Sequence, residues 1–348
     1  MKARKIKFSK SIGDVVSEKN RIVDMESRLQ AIVVEATGHL SSYPDRRNCL
    51  LCGSDVALAE QFLHRKIKFL HCHNCGHVQT QCEPDGQYEE IVASALGYKE
   101  IYPDSSWEDF QSRTERVYQP KLEWIIEGLG ARATKAELAN LSWLDIGCGA
   151  GYFLNALIKN GFWNCAGTDL DVHNLAVAEK YLDGGQVFQS ETSVADTIKN
   201  AASDVITAFY VLEHVSDMKD VIDALSRKEQ GTIFVFAVPV FSFISIFEGL
   251  VEKHYPRSLD AMVHTQIFTD ESIDYMMEKS GFEIVSEWIF GQDIADIHRF
   301  IDVGLNSNYP QSLRDQFSQK FAKLVDPLQM VLDGARFSDS RHIIAIKK

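Results

Sequence analysis

Alternation and helical spacing divide the chain into elements before any chemistry is considered. From Leu141 to Ile146 an apolar run ends in the glycines of "IGCGAG", and beyond Gly151 the residues Phe153, Leu154, Leu157 and Ile158 recur at helical spacing. A strand, a glycine turn and a helix form the first unit of a doubly wound sheet. Further strand-length runs follow: one ending in "GTDLD", then "GQVFQS", then Asp204 to Phe209, then "GTIFVFAVPV". Thr269 is placed to cap a helix patterned from Glu271 to Met277, Gly281 ends it, and "FEIVSEW" reads as a strand. The final "RHIIAIKK" suits an antiparallel partner for that strand, with residues 291–338 inserted between the two. The insertion carries helical apolar spacing at Leu313, Phe317, Phe321 and Leu324, read as a packing or dimer helix. The pattern predicts an α/β fold over residues 136–348: a doubly wound, seven-stranded, mostly parallel sheet whose last strand is antiparallel.

Upstream the pattern changes. "WEDFQSRTERVYQPKLEWIIEGL" reads as helix within a linker, residues 91–135, and "KIKF" in "FLHRKIKFLHC" alternates as a small ribbon hairpin would, within residues 46–90. Residues 1–45 read as a helical extension whose basic start, "MKARKIKFSK", is expected to be frayed and solvated. The ribbon segment holds Cys49, Cys52, Cys72 and Cys75, a C-x2-C-x19-C-x2-C arrangement with Gly53 and Gly76 directly after each second cysteine. Each pair can place two thiolates on one tight knuckle, and four thiolates in a tetrahedron suit zinc in a closed, structural site. His71, His73 and His77 are alternative ligands but are expected as exposed loop residues, while Cys82 and Cys165 read as small hydrophobes.

Composition narrows the function. The 348 residues exceed one ordinary domain, and a hydrophobic share of 45% with 24% charged residues is that of a soluble globular protein. A formal net charge of −13 argues against a chain whose affinity comes from neutralising phosphates, so nucleic acid is not an expected partner. No apolar segment follows the basic start, which makes the cytoplasm the default location. The longest apolar run, Thr232 to Phe247, is too short to span a bilayer and is broken by Pro239, Ser242 and Ser245. Seven cysteines in such a chain point to metal or burial, not to a disulfide framework. Oligomeric state is not legible.

The glycine loop carries the most specific chemistry. Gly147, Gly149 and Gly151 are spaced G-x-G-x-G, not the G-x-G-x-x-G that seats a pyrophosphate, which sets aside a dinucleotide-binding dehydrogenase. Asp145, two residues before the first glycine, would repel a diphosphate and attract a cofactor carrying an ammonium and a sulfonium. Asp169, at a carboxyl strand end, can accept from both hydroxyls of a ribose. The stretch resembles motif I of class I S-adenosylmethionine (SAM)-dependent methyltransferases, D/E-x-G-x-G-x-G, and "GTDLD" resembles their acidic strand-end motif. That resemblance implies a SAM site built from Asp145, Gly147, Cys148, Gly149, Gly151, Asp169, Leu170, Ser190 and Phe209, with Ser190 and Glu191 beside the adenine.

After the fourth strand, Tyr210, Glu213 and His214 fall where an open sheet presents its ligand crevice. "VLEHV" resembles the corresponding segment of small-molecule methyltransferases, which makes all three candidate catalytic residues. An imidazole there suits removal of an acceptor proton near neutral pH, and Glu213 would orient it or touch the acceptor; packing against the cofactor loop is the competing role for His214. His254 and His264 lie on a segment expected to cover the crevice, and "HTQIFT" resembles the later part of the same enzymes. Tyr98 and Tyr102 are candidates to close on the acceptor. Asp293, Asp296 and Arg299 suit either an ion-pair cluster or an acceptor rim.

The four-cysteine ribbon joined to this domain resembles the zinc-containing sugar C-methyltransferases of deoxysugar pathways. The resemblance implies a ribbon on the acceptor side of the cleft, a nucleotide-linked 4-keto sugar as acceptor and a histidine that removes its C3 proton. The expectation is therefore SAM-dependent methyl transfer to carbon or oxygen of a small molecule. Two alternatives stand beside it: an enzyme acting on RNA or protein with the ribbon as recognition module, and a non-catalytic SAM-binding scaffold.

Overall fold

The computed structural model describes residues 4–11, 13–85, 106–184, 186–251, 254–261, 264–306 and 308–348. Its strands are β1 (Lys5–Phe8), β2 (Glu60–His64), β3 (Ile67–His71), β4 (Val78–Thr80), β5 (Trp143–Ile146), β6 (Cys165–Asp169), β7 (Gln186–Gln189), β8 (Val205–Phe209), β9 (Ile233–Pro239), β10 (Gln266–Ile267), β11 (Phe282–Ile289) and β12 (Ser340–Lys347). The main sheet runs β1-β11-β12-β9-β8-β5-β6-β7. Only β12 is antiparallel to its neighbours β11 and β9, so this is the mostly parallel α/β sheet that the strand pattern predicts. Every residue of β8 and β9 is buried, as helices on both faces of a central parallel strand require. The strand order reverses around β5, which pairs with β6 on one side and β8 on the other. The crevice of such a sheet opens at the carboxyl ends of those strands.

The sheet has eight strands where seven were expected. The extra one is β1, from the basic start that reads as a solvated tail; it pairs in parallel with β11, Lys5 opposite Ser286 and Phe8 opposite Ile289. Its cations find acids far along the chain: Lys5 Nζ is 2.9 Å from Glu127 Oε1, and Arg4 Nε is 3.3 Å from the buried Glu287 Oε2. Lys7 Nζ stands 4.5 Å over the Trp288 ring. A charge pattern that suggests solvation by itself is thus neutralised by partners that local reading cannot see.

The ribbon forms a second sheet, β10-β4-β3-β2, whose last strand comes from beyond β9. The long helix Gly13–Leu40 covers it, burying Val33, Ala36 and Leu40 with Ile67, Phe69, Val78 and Ile267. On its other side the ribbon shares a core with the main domain: Cys49, Leu51, Leu70, Cys72 and Cys75 pack in one cluster with Met218, Val221, Ile273 and Met276. The insertion consists of the helices Asp293–Asn306 and Gln311–Gly334. Phe317 and Phe321 turn inward against the His298 ring, whereas Leu313 and Leu324 are about half exposed. Among the described residues no helix is long and apolar enough to cross a membrane.

Candidate functional site

The crevice begins where β5 ends. Gly147, Gly149 and Gly151 all adopt positive φ, which L side chains rarely reach. A Cβ on Gly147 would lie 2.4 Å from Val211 Cγ2, so the first turn closes only on glycine. A Cβ on Gly149 would meet nothing within 4 Å, so bare backbone there faces open space. The Gly149 N–H donates to Asp169 Oδ2 at 2.8 Å, and the Asp171 N–H donates to Asp169 Oδ1 at 2.9 Å. Two backbone donors thus fix the strand-end carboxylate beside the open backbone. Burial raises its pKa above the usual carboxylate range, so a ligand hydroxyl donating to it relieves unfavourable desolvation.

Asp145 is buried under the loop, where Thr207 Oγ1 donates to its Oδ1 at 2.5 Å. Burial pushes it up to about 7, against Thr207 and Lys121, which favour its charge. Cys148 is buried and its thiol is pushed up by burial. Leu170 is 73% exposed at the end of β6. The Ser190 N–H donates to the Asp169 carbonyl at 2.9 Å, which places the ends of β6 and β7 side by side, while Glu191 is exposed. Phe209 is buried at the end of β8, its ring edge-on to Phe153 at 4.9 Å. A backbone cradle that leaves space above it, flanked by carboxylates, fits a nucleoside cofactor with an ammonium, and Gly147, Gly149, Gly151, Asp145 and Asp169 are the residues that would hold it.

Immediately after β8 the chain takes a short turn, Leu212–His214, preceded by Tyr210 at φ 58°. A non-glycine residue there is strained, and such strain gathers at functional sites. Glu213 is fully buried and its Oε2 has no partner among the described residues; burial pushes it up to about 8. His214 Nε2 is 4.0 Å from Glu213 Oε1, too long for a hydrogen bond. His264 stacks at a tilt near His214, with ring centroids 5.2 Å apart, and its buried Nδ1 has no hydrogen-bond partner among the described residues. Burial, then the neighbouring His214 and Arg257, push His264 down to about 3. One ligand atom from each of Glu213, His214 and His264 lies within 4.8 Å of the others, a grouping able to hold a metal ion. The Tyr210 hydroxyl is occupied elsewhere, bonded to Ser340 Oγ at 2.9 Å, and burial pushes it up to about 12, so it stays a phenol.

The ribbon props this turn. Gln266, on β10, is completely buried; its Oε1 meets His77 Nε2 of the ribbon at 2.8 Å, and its Nε2 donates to the carbonyls of Leu212, at 2.8 Å, and Val215. One amide therefore clamps the four-cysteine module to the turn that carries Glu213 and His214. His77, expected on an exposed loop, is instead fully buried, edge-on to Phe268 at 5.1 Å. His73 is exposed, and His71 lies 3.7 Å from Glu60.

The four ribbon cysteines converge. Cys49 and Cys75 Sγ are 3.7 Å apart, Cys52 and Cys72 Sγ 3.6 Å, and all four lie within 4.8 Å of one another. A tetrahedron with Zn–S bonds of about 2.3 Å has sulfur–sulfur edges of about 3.8 Å, so the donor set fits zinc. Contact with Cys75 holds the Cys49 thiol well below its usual range, toward the thiolate that binds metal.

The other sequence candidates separate. His254 faces away from the turn, 3.5 Å from Glu26 and tilted on Phe300. Asp296 and Arg299 are buried in an ion-pair cluster in which Arg299 Nη1 meets Glu26 Oε2 at 3.0 Å and Arg257 Nε meets Asp296 Oδ2 at 2.6 Å, while the buried Asp293 accepts from Ser242 Oγ at 2.9 Å and Gln329 Nε2 at 3.1 Å. Tyr98 and Tyr102 fall outside the described residues. Sequence reading missed Gln266 and Lys121. The second had a signal: Lys121 shares the apolar stripe of its helix with Trp124, Ile125 and Gly128, where a lysine is out of place.

Comparison with known proteins agrees with this geometry. A family profile described as a methyltransferase domain matches residues 116–287. The ubiquinone biosynthesis O-methyltransferase of Rickettsia felis is 24% identical over 216 residues, which cover 56% of this chain and 84% of that protein. That of Pseudomonas aeruginosa is 32% identical over 124 residues, covering 34% of this chain and 50% of the relative. Among solved structures, magnesium protoporphyrin IX methyltransferase from Synechocystis PCC 6803 with bound SAH aligns at a TM-score of 0.43 and 13% identity, over 75% of this chain and 98% of that one. Fold, glycine-loop crevice and matched profile define a class I SAM-dependent methyltransferase domain. The chain is an enzyme of that class, and residues 116–287 are the part the profile recognises.

Proposed function

We propose that the protein transfers a methyl group from SAM to oxygen or an acidic carbon of a small molecule, with a nucleotide-linked sugar or related metabolite as the preferred acceptor. The observation that carries the reading is the cluster of Glu213, His214 and His264 at the carboxyl end of β8, next to the glycine cradle and clamped to the ribbon through Gln266. When bound, SAM supplies a methyl group on a positively charged sulfur that leaves as a neutral thioether. Asp169 accepts from the ribose and Asp145 faces the ammonium. Leu170 and Ser190 flank the adenine, with Cys148 and Phe209 lining the cradle. His214 removes the acceptor proton, leaving its electron pair free to attack; Glu213, buried and short of a partner, positions and stabilises the resulting imidazolium, and Tyr210 lines the acceptor side. Cys49, Cys52, Cys72 and Cys75 hold one zinc ion that fixes the ribbon against this turn.

O-methylation has its own support in the matched relatives, which are O-methyltransferases of ubiquinone biosynthesis. The ribbon resemblance favours the sugar. The test is a panel of phenolic and nucleotide-sugar acceptors incubated with SAM and the purified protein, read as methylated product. Product from nucleotide sugars supports the preferred acceptor, product from phenols alone replaces it, and SAM turnover that requires RNA or protein overturns the small-molecule reading.

A further inference from the structure

Lys121 sits in the helix Gln119–Leu129 and is only 3% exposed. Its Nζ is 4.6 Å from the ring centroid of Tyr118, 4.6 Å from that of Phe209 and 5.1 Å from that of Tyr210. Among the described residues no carboxylate pairs with it; the acid whose field reaches it is Asp145, from a distance. Other cations are near: Lys10, whose Nζ donates to the Arg116 carbonyl at 2.9 Å, and Arg113, 5.3 Å over the Tyr152 ring. Burial first, then those two cations, push Lys121 down to about 7.

An ammonium group buried among aromatic rings, with like charges nearby and no paired carboxylate among the described residues, is costly. The rings lessen that cost only in part. The location gives it a use. Phe209 ends β8, next to β5 and its glycine loop, so Lys121 stands at the wall of the crevice, within the field of Asp145. The amino-acid end of SAM carries an ammonium and a carboxylate on the same carbon, and a site for it needs an acid and a base side by side. Asp145 supplies the acid.

We infer that Lys121 is the binding residue for the carboxylate of the cofactor's methionine end, forming with Asp145 a matched pair for the zwitterion. The inference rests on the SAM-dependent reading above. Carboxylate binding supplies Lys121 with a direct counter-charge, and a charge-assisted bond in a desolvated site is among the stronger single contacts a protein makes.

The test is calorimetric, with turnover of the same variants followed in parallel. S-adenosylhomocysteine and its decarboxylated analogue S-adenosyl-3-thiopropylamine are titrated into the wild type, Lys121→Met and Lys121→Arg. The expected result is a loss of S-adenosylhomocysteine affinity of about 10- to 100-fold in Lys121→Met, partial recovery in Lys121→Arg, and no change for the analogue between wild type and either variant. Equal losses for both ligands would mean that Lys121 only shapes the pocket. Unchanged S-adenosylhomocysteine affinity with reduced turnover would make it a proton-transfer residue. Either result overturns the inference while leaving the cofactor assignment standing. A wild type that binds neither ligand would remove the cofactor assignment itself.

Discussion

The thiolate cluster of the ribbon and the turn after β8 both gather titratable side chains, the first largely buried and the second running from the buried Glu213 to the exposed His214, and they are built in opposite ways. In the ribbon every sulfur faces another sulfur, so the donors complete one another around a central point. In the turn, Glu213 Oε2 and His264 Nδ1 have no partner among the described residues, and Glu213 and His214 stand 4.0 Å apart. The first arrangement is closed, leaving no position for a substrate. The second is open, and its unmet polar groups persist only because the ribbon and the sheet hold the turn in place. Buried polar groups left unsatisfied cost stability, and here the cost falls where a ligand is needed.

This contrast can be broken at several points. The largest effect is expected in the ribbon. Cys72→Ser, or removal of metal by a chelator, should lower the melting temperature by about 10 °C or more, because the cysteines share a core with Met218, Val221 and Ile273. Full removal of the metal by the chelator with an unchanged melting temperature would show that the cluster needs no ion. His214→Ala should slow transfer by about 100-fold while S-adenosylhomocysteine affinity stays within about twofold. Unchanged turnover would take His214 out of the mechanism.

Asp169→Ala should weaken S-adenosylhomocysteine binding by about 10-fold or more, since it removes the acceptor for the ribose and frees the Gly149 N–H. Gln266→Leu cuts the link between the two regions: kcat should fall by about 10-fold with metal content and cofactor affinity retained. A parallel loss of zinc would show that Gln266 holds the ribbon instead of the turn. A further effect is thermodynamic. Glu213 has a folded value of about 8, above its ordinary value, so the native state keeps an extra proton through that window and loses stability as pH rises. Glu213→Gln removes that dependence. Between about pH 5 and about pH 8 the variant should gain roughly 2–4 kcal/mol on the wild type in denaturant unfolding.

Legibility in the sequence followed the range of the interactions. The glycine loop, Asp169 and the cysteine pairs were readable because each is defined by spacing within a few residues, and the alternation of β11 and β12 announced their pairing. Gln266 was not, because its meaning comes from His77, 189 residues away, and from two carbonyls more than 50 residues away. The strand β1 was hidden for the same reason: the basic start looks solvated until Glu287 is brought beside Arg4 and Glu127 beside Lys5. His77 was misread because a histidine next to a knuckle glycine suggests a loop, whereas the ribbon docks that knuckle face down on the main domain. Lys121 lay in between, since a lysine on an apolar stripe is a visible anomaly, while the rings of Tyr118, Phe209 and Tyr210 that surround it come together only in the fold.

The central claim is that the open cluster after β8 methylates a small molecule while the closed cluster serves as scaffold. The most direct measurement supplies the purified protein with methyl-labelled SAM and, separately, the small-molecule and macromolecular fractions of a cell extract. Label in the small-molecule fraction, reduced by Asp169→Ala at subsaturating SAM, is the predicted result. Label confined to RNA or protein would make the ribbon a recognition module and contradict the account.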